Sequence, residues 1–118
     1  MNIEDLREYC ISKKGVEESM PFGPDTVVFK VFGKVFLITD LASRPLQFNV
    51  KCDPEKAIEL REHYSRVIPG FHMNKKHWNT IIIDDSLNIN LLYEWISDSY
   101  SLVISRLTKK QQKEFTAL

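Results

Sequence analysis

Residues 69–80, PGFHMNKKHWNT, hold the densest group of side chains in this chain that could take part in binding. The second half of the stretch contains a carboxamide, two ammonium groups, an imidazole and an indole. No acidic residue lies between Glu62 and Asp84, so the two lysines have no carboxylate near them in sequence. This chemistry indicates a hairpin arm that binds phosphate or an acidic protein surface. The competing interpretation is a solvated turn that Trp78 anchors to the core.

The histidines of this stretch do not indicate a catalytic or metal site. His72 and His77 have no cysteine or carboxylate beside them, and residues five apart on a strand point to opposite faces. The sequence contains no G-x-S-x-G nucleophile motif, no P-loop and no dinucleotide-binding glycine motif. We therefore expect no enzyme activity, no metal and no cofactor.

The composition is that of one folded domain spanning residues 1–118, with 43% hydrophobic and 27% charged residues. Sixteen basic residues balance sixteen acidic ones, which argues against a strongly basic, nonspecific polyanion binder but leaves room for a local basic patch. No signal peptide or membrane-spanning run is visible, and Cys10 and Cys52 lack the spacing of a metal site. We expect a cytoplasmic protein with free thiols and no membrane partner.

The elements that must position the binding stretch begin with a helix and a loop. Asn2 and Gly15 are typical of the start and the end of the first helix. Residues 17–25 predict a loop, because they include two prolines and a glycine. Asp53-Pro54 is a strong start for the second helix, with a capping carboxylate and proline in the first position.

Three strands are predicted between these helices. The strands at 27–32 and 35–39 are joined by Gly33-Lys34, a pair typical of a type II′ hairpin turn. Residues 46–51 alternate between apolar and polar side chains, which predicts a strand with one face in the core and one in water. The polar row of this strand consists of Gln47, Asn49 and Lys51.

The remaining elements predict a two-layer domain. Strands near 71–73 and 77–83 form the hairpin, and a long helix capped by Asn88 or Asn90 follows, with a kink or restart expected at 97–99. A short tail helix ends the chain. The order α-β-β-β-α-β-β-α predicts an α+β fold, in which an antiparallel sheet carries its helices on one face.

The stretch at 69–80 also resembles the most characteristic motif of the MmcQ/YjbR-like family of small bacterial domains. Four further motifs of that family fall in matching order, namely MPFG at 20–23, FGKVF at 32–36, KCDPE at 51–55 and SYSLV at 99–103. Together they cover about residues 1–110. Phe71 departs mildly from the family pattern, since a tyrosine is frequent there.

This resemblance implies a secretion-chaperone-like (YjbR-like) fold and a DNA-binding role in which hairpins act as a double wing. Under this hypothesis the DNA contacts come from His72, Asn74, Lys75, Lys76, His77, Lys51 and Lys34. The hypothesis requires the four lysines to lie on one side of the molecule. The alternative is a protein-interaction or chaperone-like module without nucleic-acid binding, in which the wing, the polar strand face and the loop of residues 20–25 form a groove for a protein partner. The expected partner is thus DNA or a protein, and the expected assembly is a monomer or weak dimer.

Overall fold

The computed structural model describes all residues from 1 to 118, and they form six strands and four helices. The strands are β1 (Val16–Ser19), β2 (Thr26–Val31), β3 (Lys34–Asp40), β4 (Gln47–Lys51), β5 (Val67–Pro69) and β6 (Trp78–Ile82). The helices are α1 (Ile3–Ile11), α2 (Pro54–His63), α3 (Ile89–Ser105) and α4 (Lys109–Thr116). All neighbouring strands pair antiparallel, in the order β1-β2-β3-β4-β6-β5. The α+β fold with an antiparallel sheet is confirmed.

Side-chain oxygens cap all four helices at their first turns. Asn2 accepts from the Asp5 amide and Asp53 from the Glu55 amide, as the sequence predicts. Asn88, the first of the two predicted alternatives, caps α3, and Thr108 caps α4. Local capping chemistry therefore sets where each helix begins.

The core lies on one face of the sheet. Phe48 and Val50 of β4 are buried against α3, whereas the side chains between them point the other way. The face that carries Gln47 and Asn49 has no helix over it, and we call it the open face. The alternation predicted for residues 46–51 is confirmed.

One strand lies in the segment that the sequence predicts as a loop. β1 pairs antiparallel with β2, with Val16 opposite Val31 and Ser19 opposite Val28. The first proline comes only at position 21, so nothing in residues 16–19 prevents pairing. Two exposed glutamates in the middle of β1 make its sequence unlike that of a typical strand. They suit an edge strand, because charge at an edge discourages pairing with other chains.

The β2–β3 turn lies one residue earlier than predicted. Val31 pairs directly with Lys34, so the two turn residues are Phe32 and Gly33, with φ angles of 48° and 75°. Positive φ at both positions is the type I′ turn rather than type II′, and it matches the right-handed twist of the strands. The prediction of Gly33-Lys34 as the turn was wrong by this one position.

The second hairpin and the long helix also differ from expectation. β5 is Val67–Pro69, not residues 71–73, because the chain leaves the sheet after the amide of Gly70 donates to the Trp78 carbonyl. α3 runs unbroken through residues 97–99. Its Ser99 hydroxyl bonds to the sheet instead of to its own helix backbone, so no kink forms there.

Candidate nucleic-acid interface

Strand directions place the predicted lysines at one end of the sheet. Lys34 begins β3 and Lys51 ends β4, and these strands run antiparallel. Lys51 is the register partner of Trp78, which begins β6. Residues 70–77, which we call the wing loop, connect the end of β5 to the start of β6, so the loop leaves and re-enters the sheet at this same end. The lysines at 34, 51, 75 and 76 thus share one end of the sheet.

The wing loop is organised by its own backbone and by Asn74. The Asn74 carbonyl accepts from the amides of His77 (3.2 Å) and Trp78 (2.9 Å), and its side-chain oxygen accepts from the Lys76 amide (2.9 Å). The Met73 amide donates to the Gly70 carbonyl at 3.2 Å. The side-chain oxygen of Asn74 therefore shapes the turn, while its amide group has no protein partner.

Two anchors fix the wing loop to the rest of the protein. On the open face, the Phe71 amide donates to the Thr80 hydroxyl at 2.9 Å. From α2, Arg61 donates to the Asn79 side chain at 2.7 Å and also to the Lys75 carbonyl. A loop held in this way keeps its shape before any ligand arrives, which reduces the entropy lost on binding.

Gly70 is needed where the wing loop leaves the sheet. A Cβ at this position would lie 2.8 Å from the Trp78 Cβ and 2.9 Å from both the Trp78 carbonyl oxygen and the Met73 Cβ. Backbone this close to its neighbours leaves room only for hydrogen. The glycine therefore sets the angle at which the loop turns over the open face.

The wing-loop lysines have no carboxylate partner. The three ion pairs of the structure are Arg7–Glu18, Lys56–Asp98 and Arg66–Asp84. The Lys75 ammonium donates only to the Gly70 carbonyl, at 3.3 Å, and the Lys76 side chain makes no hydrogen bond. Both charges are thus available to an anion.

Lys51, Lys34 and Arg106 form a second group of cations, which we call the Lys51 group. Burial lowers the pKa of Lys51, and the nearby charges of Arg106 and Lys34 lower it further. Like charges brought this close repel one another, so a bound anion would relieve the repulsion. Arg106, at the end of α3, belongs to this group although the sequence did not single it out as a site residue.

Ser99 joins α3 to the sheet beside Lys51. Its hydroxyl donates to the Phe36 carbonyl at 2.6 Å and accepts from the Lys51 amide at 2.8 Å. Phe36 has no partner in the pairing of β3 with β2. The pairing of β3 with β4 ends at the neighbouring residue, Leu37. The hydroxyl therefore bridges two strands where their own pairing ends.

The two wing-loop histidines have different surroundings. His72 has a φ of 57°, and its exposed ring lies 4.0 Å, centroid to centroid, from the ring of Phe71. His77 is partly buried, and its Nδ1 atom has no hydrogen-bond partner. His72 is therefore placed to meet a ligand, whereas His77 faces the protein.

A groove of about 580 Å³ crosses the open face between the wing loop and residues 20–25, the loop that connects β1 to β2. Its floor is formed by strand residues, namely Thr26, Ile38, Asp40, Gln47 and Asn49. Its sides are Phe22, Ser43 and the first residues of the wing loop, Phe71, His72 and Met73. The sequence predicts a groove between the wing, the polar row of β4 and the loop of residues 20–25, but not the full set of lining residues, because these come from six separate segments.

The structure gathers no group of three or more His, Cys, Asp or Glu side chains that could hold a metal ion. Cys10 and Cys52 are both free. None of the four helices has the length and apolarity needed to cross a membrane.

Comparison with known proteins identifies the family to which this chain belongs. The sequence model of the YjbR family matches residues 11–102 of the chain. The chain belongs to the YjbR family. This confirms the resemblance carried by residues 69–80.

Relatives in the YjbR family match almost the whole chain. YbdF of Escherichia coli O157:H7 is 40% identical over 111 residues, covering 93% of this chain and 90% of the relative. YjbR of E. coli K12 is 32% identical over 114 residues, covering 96% of each. Both are named as uncharacterised proteins, so they assign a family and no activity.

A solved structure in the same fold is the crystal structure of the Deinococcus radiodurans protein DR2400. It has a TM-score of 0.90 and 38% identity, covering 98% of this chain and 88% of that one. A Pseudomonas syringae protein has a TM-score of 0.74 at 24% identity, a similarity that shows a common fold and nothing more. The overall fold is therefore shared by solved proteins.

Proposed function

We propose that this protein binds DNA without catalysis, and that the wing loop and the Lys51 group hold the phosphates. The observation that carries the proposal is the unpaired charge of Lys75 and Lys76 on a loop anchored by Arg61 and Thr80. Ammonium groups on a fixed loop suit phosphate, which they bind as point charges.

The common location of the cations supports this function. Lys34, Lys51 and the wing loop lie at one end of the sheet, so a phosphate backbone passing that end could meet several of them. Phosphate contacts position a nucleic acid and do not read its sequence. We therefore expect weak, salt-sensitive binding, consistent with a net charge of zero.

The proposed roles differ among the predicted residues. Lys75, Lys76, Lys51 and Lys34 contact phosphates, and His72 and the Asn74 amide group donate to phosphate or base edges. His77 supports the loop from inside. For this DNA-binding role we expect a cytoplasmic location.

Fluorescence anisotropy of a labelled DNA duplex, titrated at several salt concentrations, tests this function. Replacing Lys75 and Lys76 by alanine should weaken binding and reduce the slope of log K against log salt by about 1.8, since each lost phosphate contact removes about 0.9. The matched control is Lys109→Ala with Lys110→Ala, an adjacent exposed pair on α4 that removes the same charge outside the wing loop.

The control pair separates a local contact from an effect of net charge. The proposal holds if the wing-loop variant loses affinity and the α4 variant keeps most of it. Equal losses in both variants, or no binding by the unmodified protein even at low salt, would refute the phosphate-binding wing loop. In the second case the protein-interaction module becomes the function to test.

A further inference from the structure

We propose that the open-face groove binds unpaired bases of a single nucleic-acid strand, stacked on Phe22 and Phe71, while the wing-loop lysines hold its phosphates. The inference rests on the proposed function, because the same lysines supply the phosphate contacts. It goes further by naming the form of nucleic acid and the surface that meets the bases.

The two rings at the sides of the groove are the first observation. Phe22 is 72% exposed and Phe71 is 59% exposed, although Phe29, Phe36 and Phe48 are completely buried. Both exposed rings line the same groove, one from each loop. Aromatic faces bind bases by stacking with little regard to sequence, because every base has a π-face. The ring of His72 beside Phe71 extends this stacking surface.

Unused hydrogen-bonding groups on the floor of the groove are the second observation. The Thr80 hydroxyl donates to the Asn49 side-chain oxygen, which fixes the orientation of that carboxamide. The amide group of Asn49 and the whole side chain of Gln47 have no protein partner. Carboxamides offer a donor and an acceptor side by side, as base edges require.

The charges around the groove favour a phosphate-bearing ligand. The wing loop that contributes Phe71 also carries Lys75, and Arg44 follows Ser43 at the other side. The one carboxylate of the lining, Asp40, accepts from the Ala42 amide at 2.9 Å and from the Ser43 hydroxyl at 3.1 Å. These two hydrogen bonds from its own turn partly compensate the negative charge of Asp40.

The shape of the groove favours a single strand over a duplex. Its volume of about 580 Å³ lies within the usual range for small-ligand sites, so one or two nucleotides fit. Bases in a duplex are paired and stacked on each other, and their faces cannot reach Phe22 or Phe71. Proteins that stack bases on a sheet face take them from unpaired strands.

The test compares two oligonucleotides with the same phosphates. One is a labelled thymidine oligonucleotide of about ten nucleotides, and the other is an abasic strand of equal length. By anisotropy, the full-length protein should bind the intact strand about tenfold or more tightly than the abasic strand, since stacking on even one ring is worth about that factor.

Substitutions test whether the difference in affinity between the intact and the abasic strand comes from the groove. Phe22→Ala with Phe71→Ala should remove most of the preference for the intact strand over the abasic strand, without changing abasic binding. Ile58→Ala, which removes an exposed apolar side chain on α2, should leave both affinities unchanged. Lys75→Ala with Lys76→Ala should weaken both strands by a similar factor. Because all the removed side chains are exposed, circular dichroism should show unchanged folding.

The outcomes distinguish this inference from the proposed function. If the unmodified protein binds both strands equally, or the phenylalanine variant keeps its preference, the groove does not bind bases although phosphate binding stands. If neither strand nor a duplex binds, both proposals fail and the exposed rings suit a protein partner. If thymidine monophosphate displaces the strand at equal concentration, the ligand is a free nucleotide and the single-strand inference is overturned.

Discussion

Replacing Ser99 by alanine should weaken the junction between α3 and the sheet. The hydroxyl is fully buried, and it accepts from the Lys51 amide while donating to the Phe36 carbonyl. Alanine removes both contacts and leaves two buried backbone groups without this partner. An unsatisfied buried group costs about 1–3 kcal/mol, and carbonyls tolerate the loss better than amides. We expect the free energy of unfolding to fall by about 2–4 kcal/mol.

Urea denaturation followed by tryptophan fluorescence measures this loss, since Trp95 lies in the core. In thermal melts the same loss of stability corresponds to a fall in melting temperature of about 8–16 °C, at about 4 °C per kcal/mol for a domain of this size. Amide hydrogen exchange gives a local reading, because the Lys51 amide should exchange at least about tenfold faster in the variant.

Ser101→Ala is the matched control for Ser99→Ala. Ser101 is exposed on the same helix and makes no side-chain hydrogen bond in the structure, so its replacement changes only helix propensity. Subtracting its effect leaves the cost of the lost bridge. A difference between the two variants below about 0.5 kcal/mol, or unchanged exchange at Lys51, would refute the assigned role of the hydroxyl.

Three further outcomes are expected. Gly70→Ala should destabilise the protein by about 1–3 kcal/mol, because its Cβ would lie 2.8 Å from that of Trp78; unchanged denaturation midpoints would contradict this close approach. Trp78→Ala should cost about 2–4 kcal/mol, whereas Lys75→Ala with Lys76→Ala should move the melting temperature by no more than about 2 °C; equal losses would make the lysines structural. Burial raises the pKa of Cys10 from 9.0 to about 12, so stability should fall as the pH rises through this interval, because the unfolded thiol ionises while the folded one keeps its proton. Denaturation at stepped pH measures that slope, and Cys10→Ala should flatten it; an equal slope in the variant would assign the fall to other groups.

The candidate site was only partly predictable from the sequence. The wing-loop lysines stand out because turn residues and the absence of acidic neighbours are local features of residues 69–80. The contacts that fix the loop are not local, since Arg61 and Thr80 come from α2 and β6. The loop of residues 20–25 was predicted to form a groove with the wing and the polar strand face, but Phe22 itself was not singled out, because the exposure of one ring cannot be read from neighbouring residues.

The strands were likewise only partly predictable from the sequence. β3 and β4 were predicted from their own alternation and turn signals, and they are present. β1 was missed because a short, charged edge strand is stabilised by the free edge of β2 rather than by its own composition. Its existence depends on a partner that no window of sequence contains.

Helix caps, strand alternation and the motif at 69–80 are properties of neighbouring residues, and they were enough to predict the fold class and the family. That Lys34, Lys51 and the wing loop meet at one end of the sheet, and that Phe22 and Phe71 flank one groove, follows from the folded structure alone. These are contacts between residues far apart in the chain. Local propensity cannot select among such contacts, because their energy is gained only when the whole sheet has closed on its core.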